Sequence, residues 1–148
     1  MEPPSPARLY ATSAGAFLVV LGIVGFFYGA SFGSPGTVEE ALGALRVNGW
    51  LDVLHVATGA LGLLLAGYAA RGYALWLGAI YTGLAVWGFA IGSGEAVLGF
   101  IPAGSGDDWL HLALGLLGLA AAAGTAKGRN GSKRPRLEPR AKPAAKGP

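Results

Sequence analysis

The sequence predicts an all-α membrane protein with four transmembrane helices, arranged as two tandem helical-hairpin repeats that run parallel to one another. Three observations predict this fold class. The chain is 53% hydrophobic and only 13% charged, whereas a soluble domain carries about 25% charged residues. Its apolar residues form four long runs separated by turns or loops. Finally, the second half of the chain repeats the first.

The repeat is clearest in two twelve-residue segments, Asp52–Leu63 and Asp108–Leu119. Both read Asp-x-Leu-His-x-Ala-x-Gly-x-Leu-Gly-Leu, and they contain the only two histidines, His55 and His111. The apolar runs before them also match, with eight identical positions at a constant offset of 63 that pairs Tyr10 with Tyr73. Self-similarity at a fixed offset indicates duplication of one structural unit. We therefore expect two copies of a two-helix hairpin.

Four membrane spans are expected, at about 9–28, 51–70, 73–91 and 109–126. Each is close to the roughly 20 residues that a helix needs to cross a bilayer. The repeats then cover 9–70 and 71–126, with a tight turn at Ala70–Gly72. Residues 1–8 and 127–148 are rich in proline and polar residues and are predicted to be disordered. A signal peptide is the alternative for the first run, but its apolar core is usually only about 7–15 residues.

Basic residues predict the orientation. The amino-terminal arm, the short turn and the tail carry nearly all of them, whereas the two long loops carry acids. The positive-inside rule then places both termini in the cytoplasm and both histidine segments at the outer face. Aromatic residues would mark the outer interface at Tyr28, Trp50 and Trp109, and the inner one at Tyr10, Tyr68 and Tyr73.

The basic tail is expected to bind anionic lipid of the inner leaflet, since each basic residue near the surface contributes about 1 kcal/mol. No nucleic-acid partner is expected, because the tail lacks interleaved aromatic residues and any known module. The predicted lipid-contacting residues are Lys127, Arg129, Lys133, Arg134 and Arg136.

Small residues recur along one face of each predicted helix. Membrane helices associate through close packing of such residues, because lipid gives them little hydrophobic reason to do so. The same stripes could also serve a homo-oligomer or another membrane-protein partner. The predicted packing glycines are Gly15, Gly25, Gly59, Gly62, Gly78, Gly88, Gly115 and Gly118.

The Asp-x-x-His motif allows two interpretations. In the structural one, Asp52 and Asp108 cap their helices by accepting the backbone N–H of His55 and His111. In the functional one, these four side chains form an outward-facing site that binds a divalent metal or haem, or relays protons, because ionisable groups in membrane segments are often functional. For Asn48 we expect cap chemistry.

Composition and motifs narrow the function. With no cysteine, disulfides, thiolate metal sites and a cysteine nucleophile are excluded. Phosphate-binding and nucleophile-elbow motifs do not occur. The leading hypothesis is a non-enzymatic accessory or interaction component of the membrane that needs no cofactor. The alternatives are a metal- or haem-binding redox or transport unit and a small proton-coupled carrier.

The chain also resembles a family of small bacterial membrane proteins, domain of unknown function 4383. The resemblance covers about Arg8–Gly124. It rests on Leu9-Tyr10-Ala11, on Gly22-Ile-Val-Gly25-Phe26, on Val47-Asn48-Gly49 leading to Leu54-His55, and on Asp108-Trp109-Leu110-His111-Leu112-Ala113-Leu114-Gly115. It implies four helices and a bacterial plasma membrane, and it brings no known reaction.

Overall fold

A computed structural model describes residues 4–32, 39–41 and 45–125. This part of the chain is mostly helical, with four α-helices and two small antiparallel hairpins. In chain order the elements are α1 (Pro6–Tyr28), β1 (Glu39–Ala41), β2 (Leu45–Val47), α2 (Gly49–Leu65), α3 (Ala70–Ile91), β3 (Ala96–Val97), β4 (Ile101–Pro102) and α4 (Ser105–Gly124).

The first helix begins earlier than the sequence suggested. Ser5 caps it by accepting the backbone N–H of Arg8 at 3.3 Å, and Pro6 occupies the first turn. Proline is favoured there because its missing N–H would have no partner and its φ is already helical. The expectation of a disordered arm through residue 8 is therefore wrong from Pro6 onward. Residues 1–3 lie outside the described part of the chain.

The tight turn between the two halves lies at residues 66–69, not at Ala70–Gly72. α3 starts at Ala70, so the three residues predicted as the turn form its first helical turn. The prediction took Arg71 and Gly72 as a break between apolar runs. Arg71 instead stays in the helix and its Nε donates to the carbonyl oxygens of Ala122 at 3.2 Å and Thr125 at 3.1 Å.

Both connections at the opposite end contain a hairpin that the sequence analysis did not predict. In the first, Glu40 pairs with Arg46, and in the second, Val97 pairs with Ile101. The strands are two or three residues long, which is too short for an alternating pattern to be recognised. Val97 and Ile101 pack with Leu51 in a small apolar cluster, so the second hairpin lies against the start of α2.

The helices cross at glycines. A Cβ atom built on Gly59 of α2 would lie 2.6 Å from the carbonyl oxygen of Gly15 on α1. One built on Gly78 of α3 would lie 3.0 Å from the carbonyl oxygen of Gly115 on α4. Only residues without a side chain permit two helix backbones to approach so closely.

Gly62 and Gly118 lie against tyrosine hydroxyls. A Cβ atom on Gly62 would be 2.5 Å from the hydroxyl of Tyr73, and one on Gly118 would be 2.9 Å from that of Tyr10. Tyr10 and Tyr73 are both buried, with ring centroids 6.3 Å apart. Their expected place in an inner interfacial belt is therefore wrong. Tyr68, by contrast, is exposed.

The two tyrosines join the halves. The Tyr10 hydroxyl on α1 donates to the carbonyl oxygen of Leu114 on α4 at 2.8 Å, and the Tyr73 hydroxyl on α3 donates to that of Thr58 on α2 at 3.0 Å. A phenol beside a glycine can reach the backbone of the other helix, where a larger residue would block it. Each hydroxyl thus finds the partner that a buried polar group needs.

Two described helices, Pro6–Tyr28 and Ala70–Ile91, are long and apolar enough to cross a membrane, by length and composition. Gly49–Leu65 is apolar but shorter. A buried helix of a soluble protein or an amino-terminal signal sequence would satisfy the same criterion, so further support comes from the distribution of side chains.

Candidate functional site

Neither aspartate of the Asp-x-x-His motif caps its helix. The cap of α2 is Asn48, whose side-chain oxygen accepts the backbone N–H of Leu51 at 2.8 Å. The expected cap role of Asn48 is thus confirmed, and that of Asp52 is wrong. α4 is preceded by Gly104, which provides no side-chain cap. Both helices begin three or four residues before the motif, so Asp52 and Asp108 lie inside the first turn.

Each carboxyl group instead lies over a glycine of the helix that precedes it. Asp52 contacts Gly25 of α1, and Asp108 contacts Gly88 of α3, so closely that a Cβ on either glycine would overlap the carboxylate. The matching positions are those that the two sequence offsets relate. Glycine is required here because its missing side chain is the space that the carboxyl group fills.

The two carboxyl groups differ in their partners. Asp108 interacts with the backbone N–H of Gly104 and with the charge of Arg46. Asp52 is 1% exposed, and neither of its carboxylate oxygens has a hydrogen-bond partner. A buried polar group without a partner costs about 1–3 kcal/mol, and more if it is charged. The environment of Asp52 is therefore unfavourable in the protein alone.

The two histidines come together between the halves. His55 and His111 are each the seventh residue of their helix, and their ring centroids are 5.9 Å apart with planes inclined at 56°. They are 4% and 2% exposed, and the Nε2 atom of each ring is buried without a partner. Two unused imidazole nitrogens, from repeated segments, are thus placed side by side.

Tyr81 completes the surroundings of the pair. Its ring meets His111 edge-on, with centroids 5.0 Å apart, and its hydroxyl lies 3.0 Å from Oγ1 of Thr58. The sequence analysis missed Tyr81 because its counterpart in the first half is Leu18. Tyr10 and Tyr73 could have been found, since they match between the halves. Tyr81 holds the His111 ring in place and makes the two histidine environments unequal.

The predicted four-residue metal site is not assembled as one cluster. In the described residues, no three His, Cys, Asp or Glu side chains are grouped closely enough to hold a metal ion. The histidines meet each other, while Asp52 and Asp108 rest on separate helices at Gly25 and Gly88. The arrangement can therefore offer two imidazole nitrogens to a ligand, with carboxyl groups one helical turn away.

The hairpins close this end of the molecule. The Arg46 backbone N–H donates to Oδ2 of Asp107 at 2.9 Å, and its Nη1 donates to the carbonyl oxygen of Ala103 at 3.1 Å. Nδ2 of Asn48 donates to the carbonyl oxygen of Phe100 at 2.9 Å. These bonds tie the segment before α2 to the segment before α4, so the two halves are joined above the histidine pair.

Asp107, which precedes the predicted span, should make stability depend on pH. Burial raises its pKa from 3.8 to about 7, although the backbone hydrogen bond from Arg46 and the Arg46 charge lower it; nearby Asp108 raises it further. The folded protein thus holds a proton that the unfolded chain releases near pH 3.8. Stability from this group is present below that pH and is lost as the pH rises through about 7.

The substitution Asp107→Asn tests this dependence, because the amide oxygen can still accept the Arg46 N–H. We expect the variant to lose part of the fall in thermal midpoint that the wild type shows between pH 4 and about 7 in detergent. Glu95→Gln, at an exposed carboxylate, is the control and should keep the wild-type dependence. An unchanged pH profile in Asp107→Asn would contradict the assignment.

A separate cavity of about 360 Å³ lies between α2 and α3. It is apolar, and the positions that match its lining on the other side of the molecule are smaller: Leu65 corresponds to Ala121, and Leu77 to Ala14. There, Ala14 is buried in the core. Its lining residues are Thr58, Leu61, Leu65, Ala69, Gly72, Tyr73, Trp76, Leu77 and Ile80.

The remaining predicted contact residues cannot be placed. The lipid-contacting residues of the tail, at positions 127–136, lie outside the described part of the chain.

Comparison with known proteins gives one match. The family model described as Domain of unknown function (DUF4383) matches residues 8–124. No curated protein matches the chain, and no solved structure does.

Proposed function

This chain belongs to the family Domain of unknown function (DUF4383), and from that premise we propose that it is a four-helix integral protein of the bacterial plasma membrane. In this proposal it acts as a non-enzymatic structural, accessory or interaction component. Both termini are cytoplasmic, and the two hairpins of helices are parallel repeats with their histidines toward the outer face.

The carrying observation is that apolar side chains face outward and polar ones inward. Val20, Leu64, Val86 and Leu117, one from each helix region, are each at least 60% exposed. The buried set includes Asp52, together with both histidines. In a soluble protein an extended exposed apolar surface would need a partner to cover it. Lipid covers such a surface around the whole circumference.

The helix lengths are compatible with four spans. At 1.5 Å per residue, the 17 residues of α2 cover about 26 Å. That is slightly less than the roughly 30 Å hydrocarbon thickness, which a bilayer accommodates by local thinning. α4 has 20 residues, and its two aspartates lie in the first turn. The backbone bonds within each helix satisfy the requirement that polar groups in lipid be paired.

Equivalent contacts support the parallel repeats. Tyr10 reaches Leu114 as Tyr73 reaches Thr58, and the sequence offsets that relate the helices relate these pairs as well. Two spans in each half preserve its orientation, so the repeat axis runs along the membrane normal. The hairpins with their acids then lie at one end, and Arg8 and Arg71 at the other.

Single-cysteine labelling tests the orientation, because the chain has no cysteine and each introduced thiol is unique. In intact bacterial cells, we expect an impermeant maleimide to label Ser93→Cys, in the loop after α3, and not Ser5→Cys. After permeabilisation both should be labelled, which also requires that α1 is retained. Equal labelling of both positions in intact cells would overturn the proposal.

A further inference from the structure

The histidine pair leaves two buried nitrogen atoms unused at one place. Nε2 of His55 and Nε2 of His111 have no partner in the protein, and the ring centroids are 5.9 Å apart. An unpaired buried group in a native structure calls for an explanation such as an ion or a water molecule. One ligand between the two rings could satisfy both nitrogens, whereas a ligand elsewhere could satisfy only one.

The number of donors restricts the ion. Structural zinc is usually held by four protein ligands, and catalytic zinc by three. Among residues 4–32, 39–41 and 45–125, no group of three His, Cys, Asp or Glu side chains could hold a metal. Imidazole suits copper as well as zinc, and the monovalent copper ion, with its filled d shell, accepts two nitrogen donors in a nearly linear arrangement.

Charge favours a monovalent cation as well. Asp52 is one helical turn before His55, and both of its oxygens are buried without a partner. A buried charge is stable only when it is paired or coordinates a metal. Asp108 already has the Gly104 N–H and the Arg46 charge. One positive charge at the histidine pair would therefore balance the single uncompensated carboxylate.

We propose that His55 and His111 form a binding site for one Cu⁺ ion, with Asp52 as its counter-charge. The imidazole nitrogens are the ligands, and Asp52 acts through its charge. Tyr81, edge-on to His111, restrains one of the two rings. The site goes beyond the membrane role and does not depend on it, because the burial of these side chains comes from the chain itself.

The first test uses the purified wild-type protein in detergent. Cu⁺ is supplied without oxygen, with excess ascorbate, in competition with the chromogenic chelator bicinchoninate. We expect one ion retained per chain, and X-ray absorption at the copper edge should show two nitrogen neighbours of imidazole type. Retention of no copper would overturn the proposal, as would a spectrum without imidazole scattering or tighter retention of Zn²⁺ than of Cu⁺. The absorption result requires no variant to fold.

Matched variants locate the site. His55→Ala and His111→Ala should each abolish retention, and Asp52→Asn should weaken it by about 10–100-fold, as changes next to ligands do. The control combines His55→Ala with Val53→His, which keeps two imidazoles but moves one to an exposed face. It should not bind. Retention by this control, or wild-type affinity in His111→Ala, would overturn the proposal. Binding in detergent is independent of sidedness, so it can fail while the labelling result stands, and the reverse also holds.

Discussion

Gly59→Ala should destabilise the protein by about 1–3 kcal/mol, the usual cost of adding a methyl group to a well-packed interior. The new Cβ would lie 2.6 Å from the carbonyl oxygen of Gly15 and 2.7 Å from the backbone nitrogen of Val19. Both neighbours belong to the α1 backbone, so no side chain can rotate to make room. The two helices would have to separate, and packing along the whole crossing would be lost.

The measurement is the free energy of unfolding in mixed detergent micelles, followed by circular dichroism. Gly83→Ala is the matched control, since a Cβ there meets nothing within 4 Å. It should leave stability unchanged or raise it by up to about 1 kcal/mol, because alanine favours helix more than glycine does. In the second half, Gly115→Ala should resemble Gly59→Ala, as its Cβ would lie 2.6 Å from the backbone nitrogen of Thr82. Equal stabilities for Gly59→Ala and Gly83→Ala would contradict the close crossing.

Gly25→Ala should also destabilise, but a second substitution should restore it. Its Cβ would collide with the carboxyl group of Asp52, including Cγ at 2.6 Å and Oδ2 at 3.0 Å. Here the obstacle is the end of a side chain, which Asp52→Ala removes. Asp52→Ala alone should be nearly neutral or stabilising, because removal of an unpartnered buried polar group relieves its desolvation cost. The double variant should therefore be more stable than Gly25→Ala, with a coupling energy of about 0.5–3 kcal/mol.

Gly59→Ala provides the contrast for this cycle, because Asp52→Ala should not rescue a collision with backbone atoms. In the other half, Gly88→Ala and Asp108→Ala form the equivalent pair. Asp108→Ala should cost more than Asp52→Ala, since Asp108 loses its interaction with the Gly104 N–H. If Asp52→Ala leaves the stability of Gly25→Ala unchanged, the carboxyl group does not occupy the space above the glycine.

Much of the molecule was predictable because its signals are local. Apolar runs of the right length predicted four helices, and the cap at Asn48 follows from its position before Gly49 and the residues of α2. The exact ends were less predictable. Arg71 and Gly72 suggested a turn, yet the helix continues through them because Arg71 finds carbonyl partners at the end of α4. No sequence pattern near Arg71 encodes that contact.

The candidate site was only partly predictable for the same reason. The repeated segments identified His55 and His111, and their place in the motif put them at one depth. The motif also suggested that the aspartates were caps, because it could not show that each helix starts one turn earlier. Tyr81 lacked any repeat signal, since Leu18 is its counterpart. Its role depends on the ring of His111, which is 30 residues away in the chain.

By itself, the sequence determined the family, the four helical segments, the twin histidine motifs and the positions where glycine recurs. These features depend on composition, period and spacing along one stretch of chain. Only the tertiary structure decided that the histidine rings lie 5.9 Å apart, that Asp52 rests on Gly25 without a partner, and that Arg46 joins the two halves through Asp107. Those contacts join residues far apart in sequence, so they exist only once the helices have packed.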